Sequence, residues 1–358
     1  MHLAPTDEQQ EVKDAVRRFC EQQVTPERLA SWEREPDGID EATWRAIVSL
    51  GWFGLAVPGS AGGSGSGLIE IACVFEECGR GLIPRGVLNA IRSVAALALV
   101  DGANPHLRLL AAGERTLALA LDEQHHRNPG AYQTSVNGSR VFGEKWYVAD
   151  ATRAAHHLVA ARWDDDVALV LVDGDATRTT PVRTFDGERQ AVVVYDATPV
   201  LERLSPPGKG RALLQQVQRQ QVALGLAEMV GGMDAALAMT VAYVKEREQF
   251  GQKLAVFQAV QHQIADMATQ LTAAKHLAWQ AITRLAAGTE EGTELSIAAA
   301  FVGQAFKRVT LSAHHLHGGA GYVIEHPLHY HAERAQSLCI RYAPEAPALA
   351  EVAASLLD

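Results

Sequence analysis

Ser205-Pro206-Pro207-Gly208-Lys209-Gly210 is where the chain changes character, and the fold class follows from what lies on either side. Two prolines and a glycine in succession continue neither a helix nor a central strand, so they punctuate. Upstream, short β-rich runs recur at 116–121, 139–148, 157–162, 167–172 and 191–195. Turn residues separate them at Asn137-Gly138, Asp164-Asp165-Asp166 and Asp186-Gly187. Regularly spaced short strands without long helices between them predict an antiparallel β domain, not a βαβ series. Downstream of Gly210 the text turns rich in Ala, Leu and Gln. Helical periodicity there predicts helices near 210–245, 257–287, 292–314 and 344–357, whose apolar stripes would pack as a bundle.

Toward the N terminus the reading is again helical. Thr6 followed by Gln9 forms a capping-box pattern, and Val12, Val16 and Phe19 recur at helical spacing behind it. Pro26 ends that helix or opens the next segment. A second helix is expected over about 40–50, with Trp44, Ile47 and Val48 on one face and Gly51 as its stop. The stretch Val57-Pro58-Gly59-Ser60-Ala61-Gly62-Gly63-Ser64-Gly65-Ser66-Gly67 predicts a Gly/Ser loop before a helix at about 68–79. The expected architecture is multi-domain α+β: a helical domain over 1–113, a middle antiparallel β domain over 114–203 and a C-terminal four-helix bundle over 204–358.

The chain has 358 residues, a length that suits two or three folded units. Its 47% hydrophobic content supports sizeable cores, and 21% charged residues exclude a self-repelling disordered chain. The 32 basic residues against 42 acidic ones leave a net charge of −10, which argues against a nucleic-acid-binding surface. Cys20, Cys73, Cys78 and Cys339 have no paired metal spacing and are too few for a disulfide framework, so a reducing, cytoplasmic setting is expected. The opening Met1-His2-Leu3-Ala4-Pro5-Thr6-Asp7-Glu8 lacks the basic and apolar regions of a signal peptide. No unbroken apolar run approaches a bilayer's thickness, so no membrane span or membrane partner is expected.

Three stretches invite a chemical reading. The G-G-S-G-S-G run at 62–67 lacks the Gly-Lys-Ser/Thr ending of a phosphate loop and follows a helix, so it reads as a connection. His314, His315, His317, His326, His329 and His331 crowd one region, and imidazoles ligate zinc. No His-Glu-x-x-His helix is present and Gly318-Gly319-Ala320-Gly321 splits the group, so helix-end histidines are expected and no metal. Arg247-Glu248-Gln249-Phe250-Gly251 closes one expected helix and Phe257-Gln258 opens the next. There an Arg can grip a diphosphate and a Phe can stack on a flavin or adenine, or the two are a solvated cation and a packing residue.

Tyr243-Val244-Lys245-Glu246-Arg247-Glu248-Gln249-Phe250-Gly251, with Phe257-Gln258-Ala259-Val260-Gln261-His262 and Ala265-Asp266-Met267 after it, resembles the acyl-CoA dehydrogenase family. So do His317-Gly318-Gly319-Ala320-Gly321-Tyr322, Glu325-His326-Pro327, Glu8-Gln9-Gln10, Leu50-Gly51-Trp52-Phe53-Gly54-Leu55-Ala56-Val57-Pro58, Glu76-Glu77-Cys78-Gly79-Arg80 and Gly143-Glu144-Lys145. The resemblance covers nearly the whole chain, in order, and that family is also helical, then β, then helical. It implies FAD held between subunits. Arg247 and Gln249 would meet the diphosphate, and Phe250 and Gln258 the adenosine or flavin part. The backbone at Gly318, Gly319 and Gly321 would approach a neighbouring subunit's cofactor, where missing side chains permit contact. The reaction implied is α,β-dehydrogenation of an acyl-CoA thioester: a carboxylate takes the α-proton while hydride leaves the β-carbon for the flavin. An electron-transfer flavoprotein would receive the electrons.

The sequence departs from the family's pattern in three places. The position of the usual base after the GG turn falls at Tyr342-Ala343-Pro344, and the alternative near the start of the first bundle helix falls at Gln221. Neither Tyr nor Gln is a carboxylate base. Glu228, two helical turns after Gln221 and set among Ala, Leu, Met and Val, is the expected replacement, with Glu345 a weaker alternative. The flavin-facing loop reads Leu121-Asp122-Glu123-Gln124-His125-His126 without the family's Gly and Ser, and its aromatic–hydroxyl pair becomes Tyr147 and Ala149. His315 stands where the family has Gln before the GG turn. Three readings stay open: one subunit of a heteromeric dehydrogenase of the steroid side-chain type, paired with a homologous chain; a homomeric enzyme with a relocated base; or a non-catalytic subunit without its own flavin. A bulky substrate would need small residues such as Ala235, Ala236 and Ala238 along the bundle.

Overall fold

A computed structural model describes residues 5–124, 131–289 and 293–357; His125 and His126 of the loop above, and position 292, lie outside the described residues. Six helices come first: α1 (Asp7–Gln23), α2 (Pro26–Trp32), α3 (Glu41–Ser49), α4 (Leu68–Arg80), α5 (Arg85–Val100) and α6 (Leu107–Ala111). Strands β1 (Leu117–Ala120), β2 (Ser135–Asn137), β3 (Arg140–Ala149), β4 (His156–Trp163), β5 (Asp166–Asp173), β6 (Arg178–Val182) and β7 (Gln190–Arg203) follow. The chain then runs through α7 (Gly210–Glu246), the short β8 (Glu248–Gln249) and β9 (Gln252–Lys253), α8 (Gln258–Ala286), α9 (Glu294–His317), α10 (Leu328–Tyr342) and α11 (Glu345–Leu357). The helical–β–helical order expected from periodicity is the observed one. Helix α10 is absent from the expected set because His329, His331 and Glu333 interrupt its apolar stripe.

The chain divides into two compact units, each discontinuous in sequence. The first comprises Met1–Ala30, Leu68–Ile83 and Gln221–Asp358. Its first helix starts as expected: the Gln9 N–H donates to Thr6 Oγ1 (3.2 Å) and the Thr6 N–H to Gln9 Oε1 (3.0 Å). Glycines let α7 approach its neighbours closely. A Cβ on Gly231 would stand 1.7 Å from the Glu76 carbonyl oxygen of α4, and one on Gly232 2.6 Å from the Phe306 ring of α9. Helix α7 is long and apolar enough to cross a membrane by length and composition, yet 72% of its most apolar window is buried within the protein, as in a core helix.

The second unit comprises Ser31–Gly67 and Pro84–Gln220. Strands β4, β2, β3, β7 and β5 pair successively and β5 returns to β4, closing a ring; β1 extends it on β4 and β6 on β7. Most pairs are antiparallel, but β1 and β2 share one edge of β4 and both run parallel to it, so the sheet is mixed. The expected antiparallel domain is thereby amended: periodicity reports a strand's faces but not its partner's direction. Strand β7 is also longer than expected. It continues through Asp196 and Pro199 by a bulge at Ala197, whose φ is 56°. Leu158, Leu169 and Leu171 pack toward α5 and α6, while Val159, Val170 and Val172 fill the opposite face. Burial on both faces explains the unbroken apolar text of β5. The Gly/Ser loop folds back on 54–57, where a Cβ on Gly63 would meet the Val57 carbonyl oxygen at 2.1 Å. It is a packed connection.

Candidate active site

Helix α7 ends with the Arg247 N–H donating to the Tyr243 carbonyl (2.8 Å). The chain then reverses: Glu248 pairs with Lys253 and Gln249 with Gln252, across Phe250 at φ 55° and Gly251 at φ 78°. Two successive left-handed residues make a primed two-residue turn, a conformation easy for Gly and strained for Phe. The Leu254 N–H donates to the Arg247 carbonyl (2.9 Å) and closes the base of the hairpin. Arg247, Gln249 and Gln258 are exposed, and Phe250 is 91% exposed with its ring edge-on to Phe257.

Helix α9 ends at His317. Gly318 follows at φ 57° and ψ −140°, a backbone state open only to glycine, and its N–H reaches the carbonyls of His314 and His315. A Cβ on Gly318 or Gly319 would meet nothing within 4 Å, whereas Gly321 is buried against His317. The His317 ring stacks on Tyr243, with centroids 4.4 Å apart, and stands edge-on to His326. Tyr243 lies one turn before Arg247 and His317 directly before Gly318, so two motifs some seventy positions apart meet at one end of the bundle. The stack joins two helix ends, and helical periodicity does not reveal which ends meet.

His317 Nδ1 and His314 Nδ1 donate to the carbonyls one turn back, at 2.8 and 2.9 Å. Burial, followed for His326 by the neighbouring imidazoles and for His317 by His314, pushes both His317 and His326 below the ordinary imidazole range. His331 is buried and pushed down to about 3 by burial, Arg334 and Arg80. Among the described residues no group of three His, Cys, Asp or Glu is arranged to hold a metal ion.

Glu228 is 1% exposed on the face of α7 that meets α4, where its carbonyl oxygen lies 2.1 Å from the place of a Cβ on Gly79. Gln221 and Tyr342 are buried too, and the Tyr342 ring packs on Gly225. Glu345 is exposed at the start of α11. Ala235 and Ala236 are buried and Ala238 is exposed. From Glu228 to Arg247 the helix rises about 28 Å, so one residue cannot do the other's work.

In the second unit, Lys145 is wholly buried, with Nζ 3.2 Å from Glu123 Oε1, 3.3 Å from the Leu121 carbonyl and 3.7 Å above the Tyr132 ring. Burial pulls this ammonium down to about 8 against the opposing pull of Glu123. Glu123 also accepts the N–H groups of Gln133 (2.7 Å) and Thr134 (2.9 Å), which pins the chain on either side of the loop. Tyr147 sits at φ 57° within a β3 bulge that turns its ring outward, 43% exposed, while Ala149 is buried. The Glu123–Lys145 brace was missed from the residues alone, since an isolated Lys in a strand reads as solvated.

Residues 6–108 match the family described as acyl-CoA dehydrogenase, N-terminal domain, and residues 209–342 the acyl-CoA dehydrogenase, C-terminal domain. The acyl-CoA dehydrogenase FadE28 of Mycobacterium tuberculosis is 30% identical over 337 residues, covering 92% of this chain and 91% of that protein. The acyl-CoA dehydrogenase IpdE2 of Mycolicibacterium smegmatis is 28% identical over 331 residues, covering 92% and 93%. Among solved structures, the Tcur3481–Tcur3483 steroid ACAD G363A variant superposes with a TM-score of 0.90 at 28% identity, over 98% of this chain and 99% of that one. The chain belongs to the acyl-CoA dehydrogenase family, whose members are oxidoreductases acting on acyl-CoA.

Proposed function

We propose that this chain is one subunit of an FAD-dependent acyl-CoA dehydrogenase, paired with a related, non-identical chain and acting on a bulky acyl thioester of the steroid side-chain type. The carrying observation is the Arg247–Gln258 hairpin brought beside the Gly318-Gly319 turn by the stacked Tyr243 and His317 rings. These residues fit FAD. Arg247 presents an exposed guanidinium to a diphosphate, and Phe250 an exposed ring to a flat heterocycle. Gln249 and Gln258 offer exposed amides, and the Gly318-Gly319 backbone faces open space where Cβ atoms would otherwise stand. When bound, FAD supplies the acceptor for the hydride that leaves the β-carbon.

The work of this chain is then to bind and to position. Arg247 and Gln249 hold the diphosphate, Phe250 and Gln258 the adenosine or flavin part, and the turn at Gly318, Gly319 and Gly321 admits a neighbouring subunit's cofactor. Glu228 is the carboxylate this chain can offer for the α-proton, being the one buried acid of α7. Pairing with a second chain is supported by the similarity to the two-chain steroid ACAD and by the lack of a carboxylate at Tyr342 and Gln221. The four free, buried thiols support a reducing cytoplasm, and an electron-transfer flavoprotein is the acceptor we expect. The visible spectrum tests the pairing. Protein purified alone should be colourless and protein co-purified with its genomic neighbour yellow; stoichiometric flavin in the lone chain would overturn the heteromeric reading.

A further inference from the structure

A cavity of about 430 Å³ lies within the first unit, among α1, α4 and α8, well away in sequence from the hairpin and the glycine turn. That volume falls in the range of small-molecule sites. Its charged wall is built from Lys13, Arg17, Arg80 and Lys275 around Glu76, and Trp279, Ile69 and Pro5 add apolar surface. The two arginines are spent. Arg17 makes a two-pronged contact with Glu77 (3.0 and 2.9 Å), and Arg80 bonds Glu77 and Asp234.

The two lysines are not. Both ammonium groups converge on one oxygen, Glu76 Oε1, at 2.8 Å from Lys13 and 3.3 Å from Lys275. The other oxygen, Oε2, is taken by the Trp279 indole N–H at 2.8 Å. An ammonium carries three N–H donors, and among the described residues the one further ion-pair partner of either lysine is Glu77 Oε1, 3.6 Å from Lys13. The Lys13 side chain is only 7% exposed, and its ammonium lines the cavity 5.7 Å from the centroid of the Trp279 ring. A buried cation with idle donors beside an aromatic wall calls for an anion with an apolar body.

We propose that this cavity binds a small organic carboxylate, its carboxylate received by Lys13 and Lys275 and its ring or short chain laid against Trp279 and Ile69. A phosphate is disfavoured, because the guanidinium forks that match its geometry are already occupied. The bound anion would join α1 to α8 through a second acceptor besides Glu76, and so stabilise the unit without involving flavin.

The test is thermal melting of the full chain in its purified assembly with sodium benzoate. At about 10 mM, benzoate should raise the midpoint saturably by roughly 2 °C or more, while benzyl alcohol and sodium chloride at matched ionic strength should not. Lys275→Met keeps the half-exposed stem and removes the ammonium; Ile69→Trp fills the cavity. Either should abolish the benzoate response. A benzoate shift no larger than that of chloride, or one unchanged in both variants, overturns the proposal. An equal response to inorganic phosphate overturns the carboxylate assignment.

Discussion

Glu228 carries the sharpest demand on a single side chain. A general base must come within hydrogen-bond reach of the proton it removes, and Glu228 is 1% exposed against α4. Glu228→Gln keeps the volume and removes the basicity. In the full complex it should retain flavin and lower turnover by about 10²–10⁴. Retention of more than about a tenth of the activity would move the base to the partner chain and leave this subunit a binding role. Acid should act on two buried histidines. His331 and His157 are buried and pushed down to about 3 and about 4, chiefly by burial, with Arg334, Arg80 and His329 acting on His331 and His156 on His157. Both are neutral in the folded protein at pH 6 and protonate more readily once unfolded. Stability should therefore be flat above the unfolded value near 6.5 and fall as pH drops below it, by up to about 1.4 kcal/mol per pH unit for each histidine. Melting from pH 7 to pH 4 checks this, and His331→Phe should flatten the slope; an unchanged slope would remove His331 from the account.

Among the elements, the hairpin after α7 matters most. Phe250 holds a left-handed backbone and an almost fully exposed ring, two unfavourable features in one residue. A bound cofactor would offset both by covering the ring. Arg247→Ala should lower the flavin content of the assembled enzyme after dialysis without shifting its apo melting temperature, since the side chain is exposed. Normal flavin retention would sink the diphosphate assignment. The string that named this hairpin was legible in the sequence because hairpin, turn and helix start lie within twelve consecutive residues. Its neighbour was not: the Tyr243–His317 stack joins residues seventy-four positions apart, and helical periodicity does not reveal which helix ends meet.

At the scale of the molecule, large apolar side chains stand exposed on the C-terminal helices: Leu311 at 69%, Ile340 at 61% and Leu349 at 51%, with Tyr322 and Ile324 beside the glycine turn. An oligomer using this bundle would bury them, and obligate interfaces commonly exceed roughly 2,000 Å². Light scattering at micromolar concentration, with the partner chain present, should therefore show an oligomer, and Leu311→Glu should weaken it. A monomer in both samples would contradict the assignment.

Local chemistry was enough to order the architecture. The capping box at Thr6, the turn residues of the β region and the helix-forming text beyond Gly210 are properties of neighbours in sequence, and the structure has them in those places. The family followed from strings of the same kind. Tertiary structure alone decided which strands run parallel on β4 and how the ring closes, because strand direction depends on partners far along the chain. It also decided which charges are buried. Glu76 and Glu77 are adjacent acids in one helix, yet both are fully buried and met by Lys13, Arg17 and Lys275. Arg85 and Asn89 likewise turn inward to Asp150, Asp186 and Glu188. A buried charge is tolerable only with an opposite charge beside it. For these residues that partner lies roughly sixty to two hundred positions away in sequence, and only the fold brings it near.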